Sequence, residues 1–463
     1  PSGSQVSDEQ LGELIKENAD LVLAPMMQGA VNYMHTGNHR ATTNDRGFMV
    51  WNLGMDLQGN DMVLTKLTNW FADVYMFESI RAQTNAYTAD RWYCYYKIVY
   101  QSNQILDLIP DDVTGKALVY KAQALTYRAL AYYYLMCVYQ DDYMHGGKDK
   151  AGVPLYLTVE GAKGRTPSTE VYSTITTDLQ NAIALFEQEG YDPKSSTADI
   201  DQTVANMVLA RVALTTGDYT TAANAAGAVI SAGYSLMNEE QYTTSGFQST
   251  SLPETIWGYT WAASTSLGNR SFASFMSITA VDNANNKGIY MAIDDQLYNQ
   301  IAATDYRKKN FNATETTVGE FTYPAYSNVK FNTPTYEADE IYMRLSEAYL
   351  LKAEAEARGG NSSAAQQTLY DLVSKRDSGY AKSSNTGEAL LKEIFLQSRI
   401  ELWGEGHEFF TNKRFNVGVD RTASSNHTHK LVKAAGKEFT YQIPLSIELN
   451  SNPYINAADQ NPL

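Results

Sequence analysis

Between Arg399 and Phe415 the sequence reads RIELWGEGHEFFTNKRF, which sets Arg399, Glu401, Glu405 and His407 among Trp403, Phe409, Phe410 and Phe415. Carboxylates, a cation and an imidazole at close spacing are the groups that acid–base catalysis uses. The same charges among bulky apolar side chains also suit a structural knot, because buried charge persists only when it is paired. Glycosidase chemistry needs two carboxylates flanking a cleft. Glu401 and Glu405 are expected one helical turn apart, pointing the same way rather than facing each other. Glu347 and Glu354 stand at helix ion-pair distances from Arg344 and Arg358. None of these carboxylates needs a catalytic explanation.

Other chemistry is thinly represented. The sequence has no phosphate-binding Gly-Lys loop, dinucleotide fingerprint, nucleophile elbow or HExxH pattern. Asp282 to Asn286 has a faint likeness to a calcium loop, but Ala284 occupies a position that must supply a ligand. His427 and His429 lack a third ligand nearby and read as a polar loop. Cys94 and Cys137 are two distant thiols inside apolar helical patterns, which build neither a disulfide framework nor a metal site. No metal and no cofactor are expected.

Composition narrows the class further. A chain of 463 residues with 44% hydrophobic and 19% charged side chains can bury a large core. A net charge of −16 argues against nucleic-acid binding, which needs a basic face for the phosphates. No apolar run is long enough for a membrane-spanning helix. The outlier is tyrosine, with 33 residues beside 6 Trp and 15 Phe. Tyrosine gives a stacking face and a hydroxyl at little entropic cost; about half of these rings are expected in the core.

The elements that must position such rings alternate in kind. Residues 1–24 read as a capped helix, with Leu11, Leu14, Ile15, Ala19 and Val22 at helical spacing. Residues 25–91 are rich in Gly, Asn, Asp, Met and aromatics without a long period. From Trp92 the helical pattern returns through Tyr96, Val99 and Asn103. It continues from Ala117 to Val138 and again over 167–187. Helical pairs follow at 205–230, around Thr216-Gly217-Asp218, and at 341–378, around Gly359-Gly360. Such units of roughly 34 residues suggest tetratricopeptide-type repeats. Between 233 and 340 the period fails again, apart from a strand-like run at 254–261. A helical scaffold therefore alternates with two loop-rich segments, and loops carry function more often than scaffolds do. Rings beside carboxamides, carboxylates and arginine suit sugars, whose apolar faces stack while their hydroxyls hydrogen-bond.

These residues resemble the RagB/SusD family of outer-membrane nutrient-binding lipoproteins of Bacteroidetes. The resemblance runs from Trp92, Tyr96, Val99 and Asn103 through Lys121–Tyr139 and Gly152–Leu155. It continues with Arg165, Val171-Tyr172, Ile175 and Asp178-Leu179, and with the helices at 205–230 and 344–376. The C-terminal signature is matched by Arg399, Glu401-Leu402, Glu405-Gly406-His407, Phe410 and Lys413-Arg414. The closing motif is matched by Ile443-Pro444, Glu448, Asn452-Pro453 and Gln460-Asn461-Pro462. Gln397-Ser398, Thr411 and Phe415 depart from the family pattern, which weakens a local ion-pair network and leaves the fold expectation intact.

The resemblance implies a mostly α, SusD-like fold. Four tetratricopeptide-like helical hairpins would support an irregular, loop-rich ligand-binding half with a few short strands. One domain over 1–463 is expected, with its scaffold at about 92–232 and 341–415 and its binding loops at about 25–91 and 233–340. The implied protein is non-catalytic. It captures oligosaccharides or polysaccharides at the cell surface and delivers them to a SusC-like TonB-dependent transporter. Attachment to the outer membrane through an N-terminal lipid anchor is implied too. The lipidated Cys is absent here, and the sequence starting at Pro1 is expected to be a trimmed mature chain. The alternatives are a SusD-like protein for peptides or other nutrients, a glycoside hydrolase, and a pure protein–protein scaffold.

Sugar-contacting residues vary within the family, so candidates follow from position alone. From the first loop region they are Trp70, Tyr75, Arg81, Asn85 and Tyr87, with Asp45 and Asp56. From the second they are Trp261, Asn269, Arg270 and Tyr290. The Arg399–Phe415 stretch is then expected to bury arginine–glutamate pairs that lock the C-terminal helix and loop onto the repeats.

Overall fold

Ser7 opens the first helix with a capping box. Its hydroxyl accepts from the Gln10 amide, and the Gln10 side chain accepts from the Ser7 amide. The computed structural model describes residues 5–37, 47–67, 71–191, 196–279 and 291–463. Helix α1 (Asp8–Glu17) stops at Asn18, and α2 (Ala19–Thr36) follows directly and runs through Pro25. The stretch expected as one helix is thus two, and the second continues well past residue 24. Proline removes one ladder bond, but α2 buries Leu23, Met27, Ala30 and Met34 along one face, which offsets that loss.

The region expected to be irregular holds more helix than its sequence advertises. It contains α3 (Phe48–Asp56), strand β1 (Met62–Leu64), α4 (Ala72–Met76) and the start of α5 (Ala86–Leu108). Every residue of α3 is buried. A helix covered on all sides has no polar face, so it leaves no amphipathic period to read.

The scaffold then proceeds through α6 (Lys116–Tyr139), α7 (Ser168–Glu189), α8 (Gln202–Thr216) and α9 (Tyr219–Ile230). Gly217 takes φ +86° between α8 and α9, and Asp218 caps the second of them through the Thr221 amide. After α10 (Glu239–Thr244) come β2 (Thr255–Tyr259), α11 (Phe272–Met276), β3 (Met291–Ile293) and α12 (Asp295–Asn299). A hairpin of β4 (Thr316–Val318) and β5 (Phe321–Tyr323) precedes β6 (Glu340–Arg344). The chain closes with α13 (Leu345–Arg358), α14 (Ser362–Arg376), α15 (Gly387–Glu401), α16 (Glu408–Arg414), β7 (Val419–Asp420) and β8 (Val432–Lys433).

Among the described residues the helices pack most extensively as α6 with α7, α8 with α9, α9 with α13, α5 with α6, α13 with α14 and α2 with α5. Ile341 does not belong to a helix as its spacing suggested. It lies in β6, which pairs antiparallel with β2 and feeds α13 at Leu345. The remaining ladders, β1–β3, β4–β5 and β7–β8, are also short and antiparallel. One apolar core runs from Ile15 to Ile455, and a smaller one unites Leu350, Leu369, Leu390 and Ile394 of α13–α15. Tyrosine fills much of the main core. Tyr95 of α5 stacks on Tyr134 of α6 with ring centroids 5.5 Å apart, and burial pushes both hydroxyls above their ordinary pKa.

Candidate ligand-binding site

The charged cluster that opens the sequence argument is a closed knot. Helix α15 ends at Glu401, and the turn after it passes through Gly404 and Gly406 at φ +77° and +86°. Glu405 therefore sits in a turn and not on the next helical turn, yet both carboxylates meet the same guanidinium. Arg344 donates to Glu405 at 2.7 and 2.8 Å and to Glu401 at 3.1 Å. Arg376 donates to Glu401 and to Glu254, both at 2.7 Å, and Lys330 donates to Glu405 at 2.9 Å. Burial disfavours ionised Glu405, but Arg344 and Lys330 outweigh it and hold the carboxyl at about 2. Glu401 is fully buried and is likewise held below its ordinary value by Arg376, Arg344 and Arg307 despite that burial. Arg399 pairs instead with Asp61, at 2.7 Å. Glu347 pairs with Arg211 at 2.6 Å and not with Arg344, while Glu354 pairs with Arg358 and also with Arg414. These charges fasten α13, α14, α15 and β6 together, and they have no surface left for a substrate.

Of the first loop region's candidates, Tyr75, Arg81 and Asp56 are buried, while Asn85 and Tyr87 are half-buried. Tyr75 is fully buried, and its hydroxyl bonds His427 Nδ1. His427 Nε2 faces the Asn60 carbonyl at 2.7 Å, which can only accept, so Nε2 carries the proton and Nδ1 accepts from Tyr75. Burial, helped by Arg421, lowers His427 to about 4 and keeps the ring neutral. The expected polar loop at His427 is thus a buried clasp. Arg81 is buried and donates to the carbonyls of Lys437 and Thr440 at 2.8 and 3.1 Å. Asn85 caps α5 through the Tyr87 amide at 2.9 Å, and the Tyr87 ring lies under the Arg91 guanidinium. Asp56 is buried and accepts from the Gly406 and Glu408 amides at 2.8 and 3.3 Å, so it fixes a backbone turn. Polar residues in a segment without period looked like presenting loops; they are the clamps of buried helices.

In the second region, Trp261 is buried edge-on to Tyr259 at 4.8 Å. Asn269 and Arg270 are half-buried on the turn that leads into α11, and the Asn269 carbonyl accepts from Ser274 Oγ at 2.8 Å. Trp70, Tyr290, Asp45 and the Asp282–Asn286 run lie outside the described residues.

What the fold brings together is the pair of loop regions itself. Strand β1 runs antiparallel to β3 with Leu64 opposite Met291. The chain leaving β1 and the chain entering β3 therefore share one end of one ladder. Beside it, Phe71 packs edge-on against Phe275 of α11 at 4.9 Å. The Asn328 carboxamide donates to the Met276 and Met291 carbonyls at 3.1 and 3.0 Å, tying α11 to β3. Tyr323 of β5 donates to the Ile278 carbonyl at 3.2 Å.

This frame holds a polar surface that the sequence did not disclose. Ser277 Oγ donates to the Thr333 carbonyl at 2.7 Å and accepts from the Thr333 amide at 3.0 Å. Exposed Thr279 donates to the Asn332 carboxamide oxygen at 2.6 Å, across 53 sequence positions. The Asn332 NH2 group is left as a donor without a partner among the described residues, beside an exposed hydroxyl that can still accept. Short Ser-Ile-Thr and Phe-Asn-Thr runs are too common to serve as a signal; only the fold places them side by side.

Among the described residues no helix is long and apolar enough to cross a membrane, and no group of His, Cys, Asp and Glu is arranged to hold a metal ion.

Comparison with known proteins follows the same lines. A family model described as the SusD family matches residues 233–457. A second, described as starch-binding associating with outer membrane, matches residues 19–214. No curated protein matches the chain at significant similarity. A SusD-like carbohydrate binding protein from Bacteroides vulgatus superposes with a TM-score of 0.82 at 24% identity, covering 95% of this chain and 98% of its own. A SusD superfamily protein from Bacteroides thetaiotaomicron gives 0.78 at 21% identity, with 96% and 99% covered. Surface glycan-binding protein A from Bacteroides uniformis gives 0.71 at 17% identity, also with 96% and 99% covered. At these identities the superpositions speak for the architecture, and they do so along nearly the whole chain. The two matched segments leave only short stretches of the sequence outside them, and with that architecture the chain belongs to the SusD family.

Proposed function

We propose that this protein is a non-catalytic, cell-surface glycan receptor. It captures oligosaccharides or polysaccharides and delivers them to a SusC-like TonB-dependent transporter in the outer membrane. The observation that carries the reading is the pairing of Leu64 with Met291, which joins the two aromatic and carboxamide-rich loop regions at one ladder end. Thr279 and Asn332 add hydroxyl and amide groups there, the complement of a sugar's own donors and acceptors. The reading gains support from two relatives of the same fold described as a carbohydrate binding protein and a surface glycan-binding protein. The whole chain acts as one unit in this scheme. Its helical pairs face the transporter, its loop side faces the glycan, and an N-terminal lipid anchor holds it to the membrane.

A hydrolase is disfavoured because Glu401 and Glu405 are both committed to arginine inside the fold. Affinity electrophoresis and calorimetry against a panel of plant, bacterial and host polysaccharides test the proposal. Retention by at least one polysaccharide, without release of reducing ends, is expected. Absence of binding to any glycan at millimolar ligand, together with tight binding of a peptide, would sink it.

A further inference from the structure

Away from the β1–β3 ladder, the structure has a cleft of about 220 Å³ between α2, α6 and the segment 196–200. It shares no residue with the Thr279–Asn332 surface. Its walls carry Tyr120, Tyr127, Tyr191 and Tyr259, with the carboxamides of Gln28 and Gln123 between them. The volume is smaller than the roughly 300–1,000 Å³ of a drug-sized ligand site and has room for one sugar ring rather than a chain.

Four features make this a built site and not a packing fault. Tyr127 is 3% exposed, and its hydroxyl has no hydrogen-bond partner among the described residues. A buried hydroxyl normally finds a partner, and this one lines an open cleft. Gln123 is 5% exposed and is pinned by a 3.0 Å bond from Nε2 to the Ile200 carbonyl, which fixes its carboxamide at the wall. At the mouth, the Lys116 ammonium lies 4.8 Å from the Tyr191 ring centroid and 5.4 Å from that of Tyr120. It holds two rings in fixed positions. Deeper in, His35 stacks on Tyr259 with centroids 3.8 Å apart.

The charges at the cleft identify the class of ligand. One ammonium, Lys116, is matched by one carboxylate, Asp199, and the remaining polar groups are hydroxyls, carboxamides and the His35 imidazole, which burial keeps neutral. Such a lining has no net attraction for an anion or a cation. It suits a neutral, hydroxyl-rich ring with an apolar face. We infer that the Tyr127–Gln123–Tyr191 cleft is a second saccharide site, one that takes a single neutral pyranose, free or at the end of a glycan chain.

The test uses the whole chain with D-glucose, D-galactose, D-mannose and D-xylose, read by saturation-transfer NMR and calorimetry up to tens of millimolar. At least one of these sugars should bind. Tyr127→Phe keeps the ring and removes a hydroxyl that serves no other partner, so it should leave thermal stability unchanged. It should weaken binding by roughly 2- to 10-fold, the worth of one hydrogen bond. Tyr191→Ala, at the half-buried rim, should weaken it further, whereas Asn332→Ala should have no effect on it. Absence of binding by all four sugars, or binding undiminished in both tyrosine variants, would overturn the inference. Because polysaccharide retention is assigned to the other surface, loss of that retention in Asn332→Ala with monosaccharide binding intact separates the two proposals.

Discussion

Arg344 donates twice to Glu405, at 2.7 and 2.8 Å, and holds that carboxylate beneath the turn that follows α15. The pair ties β6 to the C-terminal third of the chain, and Lys330 completes it from the segment after β5. Replacing Glu405 with Ala leaves Lys330 buried without its carboxylate and removes two of the acceptors of Arg344, which keeps Glu254 and Glu401. The expected cost is about 3 kcal/mol or more, measured by denaturant unfolding. Glycan binding by the protein that remains folded should be little changed. A loss of binding at unchanged stability would contradict the structural assignment.

Gly406 gives a second, backbone-level test of the same turn. Its φ of +86° belongs to the left-handed region, and an added Cβ would lie 2.3 Å from the Asn52 Cβ. Gly406→Ala therefore combines strain of about 1–3 kcal/mol with a clash against the buried helix α3. A fall in melting temperature is expected, and an unchanged melting curve would show that the turn can relax.

Stability should also vary with pH in two opposed windows. Burial raises Asp56 to about 7 and Glu340 to about 8, in each case above the unfolded value. Each acid therefore contributes stability that is full below its unfolded pKa and is lost as pH rises through the folded one, between roughly 4 and 8. Glu405, held at about 2 by Arg344 and Lys330, acts in the opposite sense, and its contribution is lost as pH falls from about 4.5 to 2. Unfolding free energy should peak on the acid side of neutrality and fall in both directions. Asp56→Asn should flatten the alkaline side of the curve, and an unaltered slope there would disprove the role of Asp56.

For the ladder-end surface, Thr279→Ala and Asn332→Ala should each reduce polysaccharide retention by roughly 2- to 10-fold, since each removes about one hydrogen bond. Thermal stability should barely move in Thr279→Ala, because Thr279 is exposed. Tyr75→Phe is the contrasting control. It breaks the clasp to His427 and should lower stability by about 1 kcal/mol with retention unchanged. Retention that follows Tyr75 and ignores Asn332 would relocate the site.

Spacing along the chain was enough to identify the scaffold. Helices α7, α9 and α14 each bury one face, and the one-sided pattern that results can be read residue by residue, whereas α6 and α8 are buried almost all round and were legible from the length of their apolar runs. The Arg–Glu content of 399–415 likewise indicated a paired knot, because charge among large apolar side chains must be compensated wherever it lies. Spacing could not reveal α3, which is buried on all sides and so has no period, nor the strand identity of Glu340–Arg344, which depends on its pairing with β2. Burial was equally hidden. Tyr75, Arg81 and Asp56 have the composition of presenting loops, and it is their partners at His427, Lys437 and Gly406 that draw them inside. The contact of Thr279 with Asn332 and the cleft around Tyr127 join segments far apart in the chain. No local pattern encodes such meetings, because they arise from the packing of whole elements and not from the preferences of the residues that meet.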